Sequence, residues 1–129
     1  RLICCNIAAP DMVGHLLPAK YEEAKVAYRA AADAVVGMAA KSKEFGLHML
    51  ITSDHGNIED DTSAHSANDV LTTVIRAGGT KFNAVIPIFQ ARLFDIGPTL
   101  FELMGVQQND RKFPVENEEF VGRPLIKFE

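Results

Sequence analysis

Apolar and polar positions change period several times along this chain, and each change predicts an element. Leu2 to Ile7 is a nearly continuous apolar run bounded by Pro10, which reads as a buried parallel strand. Residues 8–19 are punctuated by Pro10, Gly14 and Pro18 and predict a loop or a short helical turn. From about Lys20 to Phe45 the period becomes helical. Ala24, Ala27, Tyr28, Ala31, Val35, Met38 and Ala39 share one broad face, while Glu22, Glu23, Lys25, Arg29 and Lys41 lie off it. The alanines favour helix, and Gly46 stands where a helix-ending glycine belongs. An apolar run over 47–53 predicts the next strand and completes a strand–helix–strand unit of the parallel type. A polar loop over 54–69 leads to the β-branched run Val70–Ile75, a third predicted strand stopped by Gly78-Gly79. Ala84–Phe89 contains Pro87 and predicts a sheet edge or a loop. Helical spacing returns with Leu93, Ile96, Leu100, Leu103 and Met104, with Asp95 and Pro98 near the start and Gly105 at the end. Residues 106–119 are charged and expected to be exposed, and Phe120–Phe128 is expected to dock back as a last short strand.

Composition narrows the classes. A chain of 129 residues, 47% of them hydrophobic, can bury one moderate core, which predicts one domain or part of one. The net charge of −4 and the pI near 5.5 offer no basic patch, so no nucleic-acid partner is expected. Neither a membrane-spanning apolar run nor a secretory signal pattern is present in these residues, and the expected setting is cytoplasmic, with no membrane partner. Cys4 and Cys5 are adjacent and lack the spacing of a zinc ribbon or a redox motif, which predicts buried, reduced thiols. Arg1 opens straight into an apolar run, so the chain is expected to be a piece of a longer protein.

The chemistry concentrates in three turns. Ser53-Asp54-His55-Gly56 follows the predicted strand 47–53 and delivers an acid and an imidazole to its carboxyl end, where open α/β sheets bind ligands. Asp11 and His15 are four apart, so a single helical turn would put both on one side. His65 lies in a Ser/Ala-rich loop. Taken singly each is weak: D-x-x-x-H arises often by chance, and His65 also reads as an ordinary surface histidine. Together, two carboxylates and three imidazoles at loop positions are the ligand set of a binuclear divalent-metal site. Mixed carboxylate and imidazole donors suit Mn²⁺ or Zn²⁺ better than Mg²⁺ or Ca²⁺, and the absence of cysteine from the loops argues against a closed structural zinc site. Open binuclear sites of this kind clamp both oxygens of a phosphoryl displacement, which makes phosphate chemistry the leading class. His48, inside the predicted strand, reads as a face or core histidine with a local partner. Asn57 and Glu59 read equally as supports for the ligands or as an ordinary polar turn. Lys20, Lys25, Lys41 and Lys43 read as a solvated helix face; Arg76 and Arg92 are weaker candidates for phosphate contacts.

The segment Asn6-Ile7-Ala8-Ala9-Pro10-Asp11-Met12-Val13-Gly14-His15 resembles the N-x-x-x-P-D-M-V-G-H element of the cofactor-independent phosphoglycerate mutases. Thr52–Glu59 is similar to that family's T-x-D-H-G-N-x-E, and Ser63–Asn68 to its A-H-T-x-N. Leu93–Leu100, ending in Met104-Gly105, is similar to the D-I-A-P-T helix of the alkaline phosphatase superfamily, and Gly122–Ile126 to its closing G-K-S-L-I. The likeness runs over nearly the whole chain in order. It implies a three-layer alkaline-phosphatase-like α/β fold, present only in part, with a mostly parallel sheet flanked by helices. All of 1–129 would then be the C-terminal portion of a metal-binding phosphatase-type domain, with the nucleophile-bearing part and the phosphotransferase domain elsewhere. The activity implied is interconversion of 3-phosphoglycerate and 2-phosphoglycerate through a phosphoserine, with two divalent ions, Mn²⁺ foremost (Mg²⁺, Co²⁺ or Zn²⁺ in its place), and without 2,3-bisphosphoglycerate. Asp11, His15 and His65 would hold one ion, and Asp54 with His55 would belong to the other. The substrate partner would be a phosphoglycerate and the full-length protein a monomer.

The nucleophilic serine of that family has no counterpart here, since nothing around Ser53, Ser63 or Ser66 marks an activated hydroxyl, and the 129 residues alone are expected to be inactive. Other departures touch the loops. Leu16-Leu17 replace a Thr-Gly pair, the stretch from His55 to His65 is shorter than usual, and Asn68-Asp69-Val70-Leu71 stands in place of N-P-V-P. Two further readings stay open: a metal-dependent phosphatase or other phosphomutase of the same superfamily, and a non-catalytic metal-binding module.

Overall fold

The computed structural model describes residues 1–60, 62–78, 82–84, 90–106 and 122–128. The chain forms two compact units, Ile3–Ala77 and Gly78–Glu129 with Arg1–Leu2.

In the first unit, a short helix α1 (Ala9–Gly14) carries Pro10 in its first turn, where the missing N–H is no loss. It packs against the long helix α2 (Tyr21–Glu44), within one residue at each end of the predicted span. Leu17, between the helices, and Ala24 are buried. The expected apolar face of α2 is seen in the half-buried Ala27, Ala31, Val35, Met38 and Ala39, and Ser42 extends it. Tyr28 is a correction: it is 63% exposed, just off the edge of that stripe. Ion pairs Glu22–Lys25, Lys20–Glu23 and Lys41–Glu44, at 2.7–2.9 Å, decorate the solvent side; such exposed pairs contribute roughly 0–1 kcal/mol each. The helix stops where Gly46 takes φ 65°, with its N–H on the Lys43 carbonyl and the Leu47 N–H on that of Ser42. That paired arrangement satisfies the last carbonyls and is most easily reached by glycine.

Strand β1 (Met49–Ile51) pairs antiparallel with β2 (Thr73–Ile75) in the register Met49↔Ile75, Leu50↔Val74 and Ile51↔Thr73. Both strand pairs among the described residues are antiparallel, so the mostly parallel sheet that was expected is not seen in them. A parallel pair needs a crossover connection, usually a helix. Residues 52–72 instead run out and return, closed by a Thr52–Thr72 hydroxyl contact at 2.9 Å and an isolated antiparallel bridge between Gly56 and Ser66. The strand expected over Leu2–Ile7 is likewise not formed. Those residues lie mostly exposed and have no ladder partner among the described residues, and an apolar run becomes a buried strand only through pairing. Cys4 and Cys5 are free and exposed rather than buried for the same reason.

In the second unit, β3 (Phe82–Ala84) pairs antiparallel with β4 (Ile126–Phe128), so the last predicted strand forms. The extended segment expected over 84–89 and the charged stretch 106–119 fall largely outside the described residues. A tight turn at Leu93–Asp95 runs into α3 (Ile96–Leu103), ended by Gly105 at φ 68° with the same pair of closing bonds as Gly46. Asp95, 1% exposed, accepts the Arg92 N–H at 2.9 Å and the Arg123 N–H at 2.7 Å. Thr99, fully buried, donates to the Asp95 carbonyl and accepts the Leu125 N–H. The D-I-G-P-T stretch thus holds the chain that enters β4. No helix of the described residues is long and apolar enough to cross a membrane.

Candidate metal centre

Helix α1 offers Asp11 and His15 from one face, His15 Nε2 lying 3.5 Å from Asp11 Oδ1. The out-and-back excursion 52–72 supplies the rest. Its Gly56–Ser66 bridge sets the turns bearing His55 and His65 side by side, and the two rings stack with centroids 3.6 Å apart. His65 Nε2 reaches to 3.3 Å from Asp11 Oδ1 and 3.1 Å from His15 Nε2, and His55 Nε2 lies 4.0 Å from the same carboxylate oxygen. One ligand atom each from Asp11, His15 and His65 falls within 4.8 Å of the others, which is the spacing of groups that can share an ion.

Ring protonation follows from the partners. His15 Nδ1 faces the Ser63 carbonyl at 2.8 Å, and His55 Nδ1 faces the Gly56 carbonyl at 3.1 Å. A carbonyl only accepts, so each Nδ1 carries a hydrogen, and each ring turns its Nε2 toward Asp11. Three imidazole nitrogens and a carboxylate oxygen therefore converge, with the Asn57 amide N–H donating to that same oxygen. A divalent cation held by mixed oxygen and nitrogen donors would relieve that convergence. The residues fit the group.

Beneath the ligands lies Asn57, 7% exposed, whose Nδ2 donates to Asp11 Oδ1 at 2.7 Å. This bond, more than the surrounding imidazoles, holds the Asp11 carboxyl below its usual range. Asn57 can come so close because residue 14 is glycine: a Cβ there would lie within 3.0 Å of its amide. The Asn57 Oδ1 is buried without a hydrogen-bond partner among the described residues. Asn57 N–H in turn donates to Glu59, whose carboxyl is drawn down from the usual 4.5 to about 2, first by the Ser66 hydroxyl and then by backbone N–H groups. A depressed carboxyl stabilises the fold fully above its unfolded value and loses that contribution as pH falls through its folded one. The turn is therefore expected to hold above about pH 4.5 and to loosen toward pH 2. A carbon-13 titration of the Glu59 carboxyl checks this; a midpoint near 4.5 would show the turn open in solution.

The remaining candidates separate cleanly. Asp54 sits at the rim, its side chain 86% exposed, 3.6 Å from His55 Nε2 and apart from the three-residue cluster. His48, just before β1, accepts the Ala77 N–H at 3.2 Å. Ser53 spends its hydroxyl on the His55 carbonyl and Ser66 on Glu59. Arg92 belongs to the turn that opens α3. Sequence reasoning missed Ser66 and Asn68 as structural partners of Glu59; polar residues in a polar loop carry no periodic signal.

Comparison with known proteins agrees with this chemistry. Residues 1–108 match the family described as the Metalloenzyme superfamily. The chain is 37% identical over 135 aligned positions to the 2,3-bisphosphoglycerate-independent phosphoglycerate mutase of Cereibacter sphaeroides, with 98% of this chain and 24% of that protein covered. It is 38% identical to the protein of that name from Dinoroseobacter shibae, with 98% and 24% covered, and 31% identical to the one from Brugia malayi, with 96% and 23% covered. The chain thus spans about a quarter of the length of the curated relatives it matches.

Proposed function

Because the chain belongs to the Metalloenzyme superfamily, we propose that it supplies metal-binding turns of a 2,3-bisphosphoglycerate-independent phosphoglycerate mutase, which interconverts 3-phosphoglycerate and 2-phosphoglycerate in glycolysis and gluconeogenesis. The observation that carries this reading is the convergence of Asp11, His15 and His65 within 4.8 Å, on turns whose sequence is similar to that of the mutases. In this reading those three residues hold one divalent cation, Mn²⁺ by preference, and Asp54 with His55 contribute to a second. Bound there, the ions neutralise charge on the transferring phosphoryl oxygens. The chain's own part is to keep the three ring nitrogens and the carboxylate aimed at one point, with the Ser63 and Gly56 carbonyls orienting the His15 and His55 rings through Nδ1. The serine that would carry the phosphoryl group is assigned to another part of the full-length protein, since Ser53 and Ser66 are engaged elsewhere.

The test is an assay of the full-length protein with 3-phosphoglycerate and Mn²⁺, following appearance of 2-phosphoglycerate and release of phosphate. Isomerisation without net hydrolysis is expected, and the 129 residues alone should bind Mn²⁺ and turn nothing over. Hydrolysis without isomerisation would move the assignment to a phosphatase of the same superfamily. No metal-dependent turnover would overturn it.

A further inference from the structure

Glu59 stands between two turns and is not among the residues that face the common point. Its Oε2 accepts the Asn57 N–H at 2.9 Å, and its Oε1 accepts the Ser66 hydroxyl at 2.5 Å and Asn68 Nδ2 at 3.3 Å. One carboxylate thus joins the turn that bears His55 to the turn that bears His65. The Ser66 N–H donates to the Gly56 carbonyl at 2.8 Å, and any Cβ at Gly56 would collide with both Glu59 Oε1 and Ser66 Oγ. The clasp and the glycine are therefore one device: the turn closes only because residue 56 leaves room for the carboxylate.

Hydrogen bonds rather than apolar burial hold the excursion, among them Thr52–Thr72, His15 to the Ser63 carbonyl and Asn68 to Asp60. From Thr52 to Leu71, Asn57 is the only buried residue among those described. Polar loops that lack buried apolar side chains open readily unless hydrogen bonds tie them. Asn57 is where the clasp reaches the ligands, since its backbone is held by Glu59 while its side chain holds Asp11.

We propose that Glu59 is a positioning residue: its carboxylate fastens the His55 turn to the His65 turn and, through Asn57, sets Asp11 Oδ1 against the imidazoles before any cation arrives. This rests on the metal reading above and adds to it a residue that touches neither metal nor substrate. Hydrogen-bonded groups one step removed from a metal orient its ligands, and their loss weakens binding.

The experiment uses the 129-residue chain and Mn²⁺ alone. In Glu59→Gln one acceptor oxygen becomes an NH₂ group set against a donor, so the clasp opens while side-chain size is kept. Its Mn²⁺ dissociation constant, measured by calorimetry, is expected to rise roughly tenfold. Asp69→Asn removes the same charge from the same excursion without touching the clasp and should change affinity by less than about twofold, as a solvated, screened charge does. In the metal-free chain, Glu59→Gln should speed amide exchange at Asn57 and Ser66 while leaving α2 unchanged, and the electron paramagnetic resonance spectrum of bound Mn²⁺ should broaden. Ser66→Ala, which removes one donor to Glu59 and the acceptor of the Asn68 N–H, should shift affinity and exchange the same way by less, and it carries the test should the first variant fail to fold. Wild-type Mn²⁺ affinity in Glu59→Gln, or equal loss in Asp69→Asn, would overturn the positioning role and leave the metal site standing. A wild-type chain that takes up no Mn²⁺ would overturn the metal reading, and this role with it.

Discussion

Mn²⁺ affinity is expected to collapse in Asp11→Ala, by more than about a hundredfold, because losing even an indirect support costs 10–100-fold and Asp11 is the group all three imidazoles face. His65 Nε2 lies 3.3 Å from its Oδ1, His15 Nε2 3.5 Å and His55 Nε2 4.0 Å. Without the carboxylate the site keeps its nitrogens and loses its only negative charge at the centre, so a divalent ion has no counter-charge to offset its lost hydration. His65→Ala should weaken binding less, since His15 and Asp11 remain together on α1. Calorimetric titration of the three proteins gives the ranking. Equal affinities in Asp11→Ala and wild type would place the cation elsewhere and remove the main support for the proposed function.

The second large effect falls on stability, in the other unit. Asp95→Ala is expected to destabilise the chain by about 3 kcal/mol, because it strands two backbone N–H groups in a buried place and each unsatisfied group costs roughly 1–3 kcal/mol. The groups are those of Arg92 and Arg123, and the Asp95 carboxyl is 1% exposed. Asp95→Asn should recover little, since its NH₂ would face one of the same donors. Thr99→Val, which keeps shape but frees the Leu125 N–H, should cost less than Asp95→Ala. Urea unfolding followed by fluorescence and amide exchange checks the order; a loss below about 1 kcal/mol for Asp95→Ala would mean that the 122–125 segment is held by something other than this carboxyl.

Local elements were legible in the sequence wherever the chain itself carries the determinant. The long helix was written in its alanines, its 3.6-residue stripe and Gly46, and it formed over Tyr21–Glu44. The helix after Asp95 ended at Gly105 as its spacing required. Asp11 and His15 face the same way because four residues on a helix must do so. The pairing of strands was not legible. Met49–Ile51 looks the same whether its neighbour runs parallel or antiparallel, and the choice was made by a connection that turns back on itself rather than crossing over. Leu2–Ile7 illustrates the same limit, since apolar residues define a buried strand only where another strand accepts their hydrogen bonds.

What the sequence by itself determined was the inventory and its local order: which acids and imidazoles exist, which turn each occupies, and which residues are helical. Those properties depend on neighbours within a few positions. Only the tertiary structure decided that His65 meets His15 across fifty positions, that Asn57 lies under Asp11, and that Glu59 ties one turn to the other. Such meetings depend on a long polar excursion closing on itself. Closure there is set by a few hydrogen bonds and two glycines that leave room for them, none of which imposes a period on the chain.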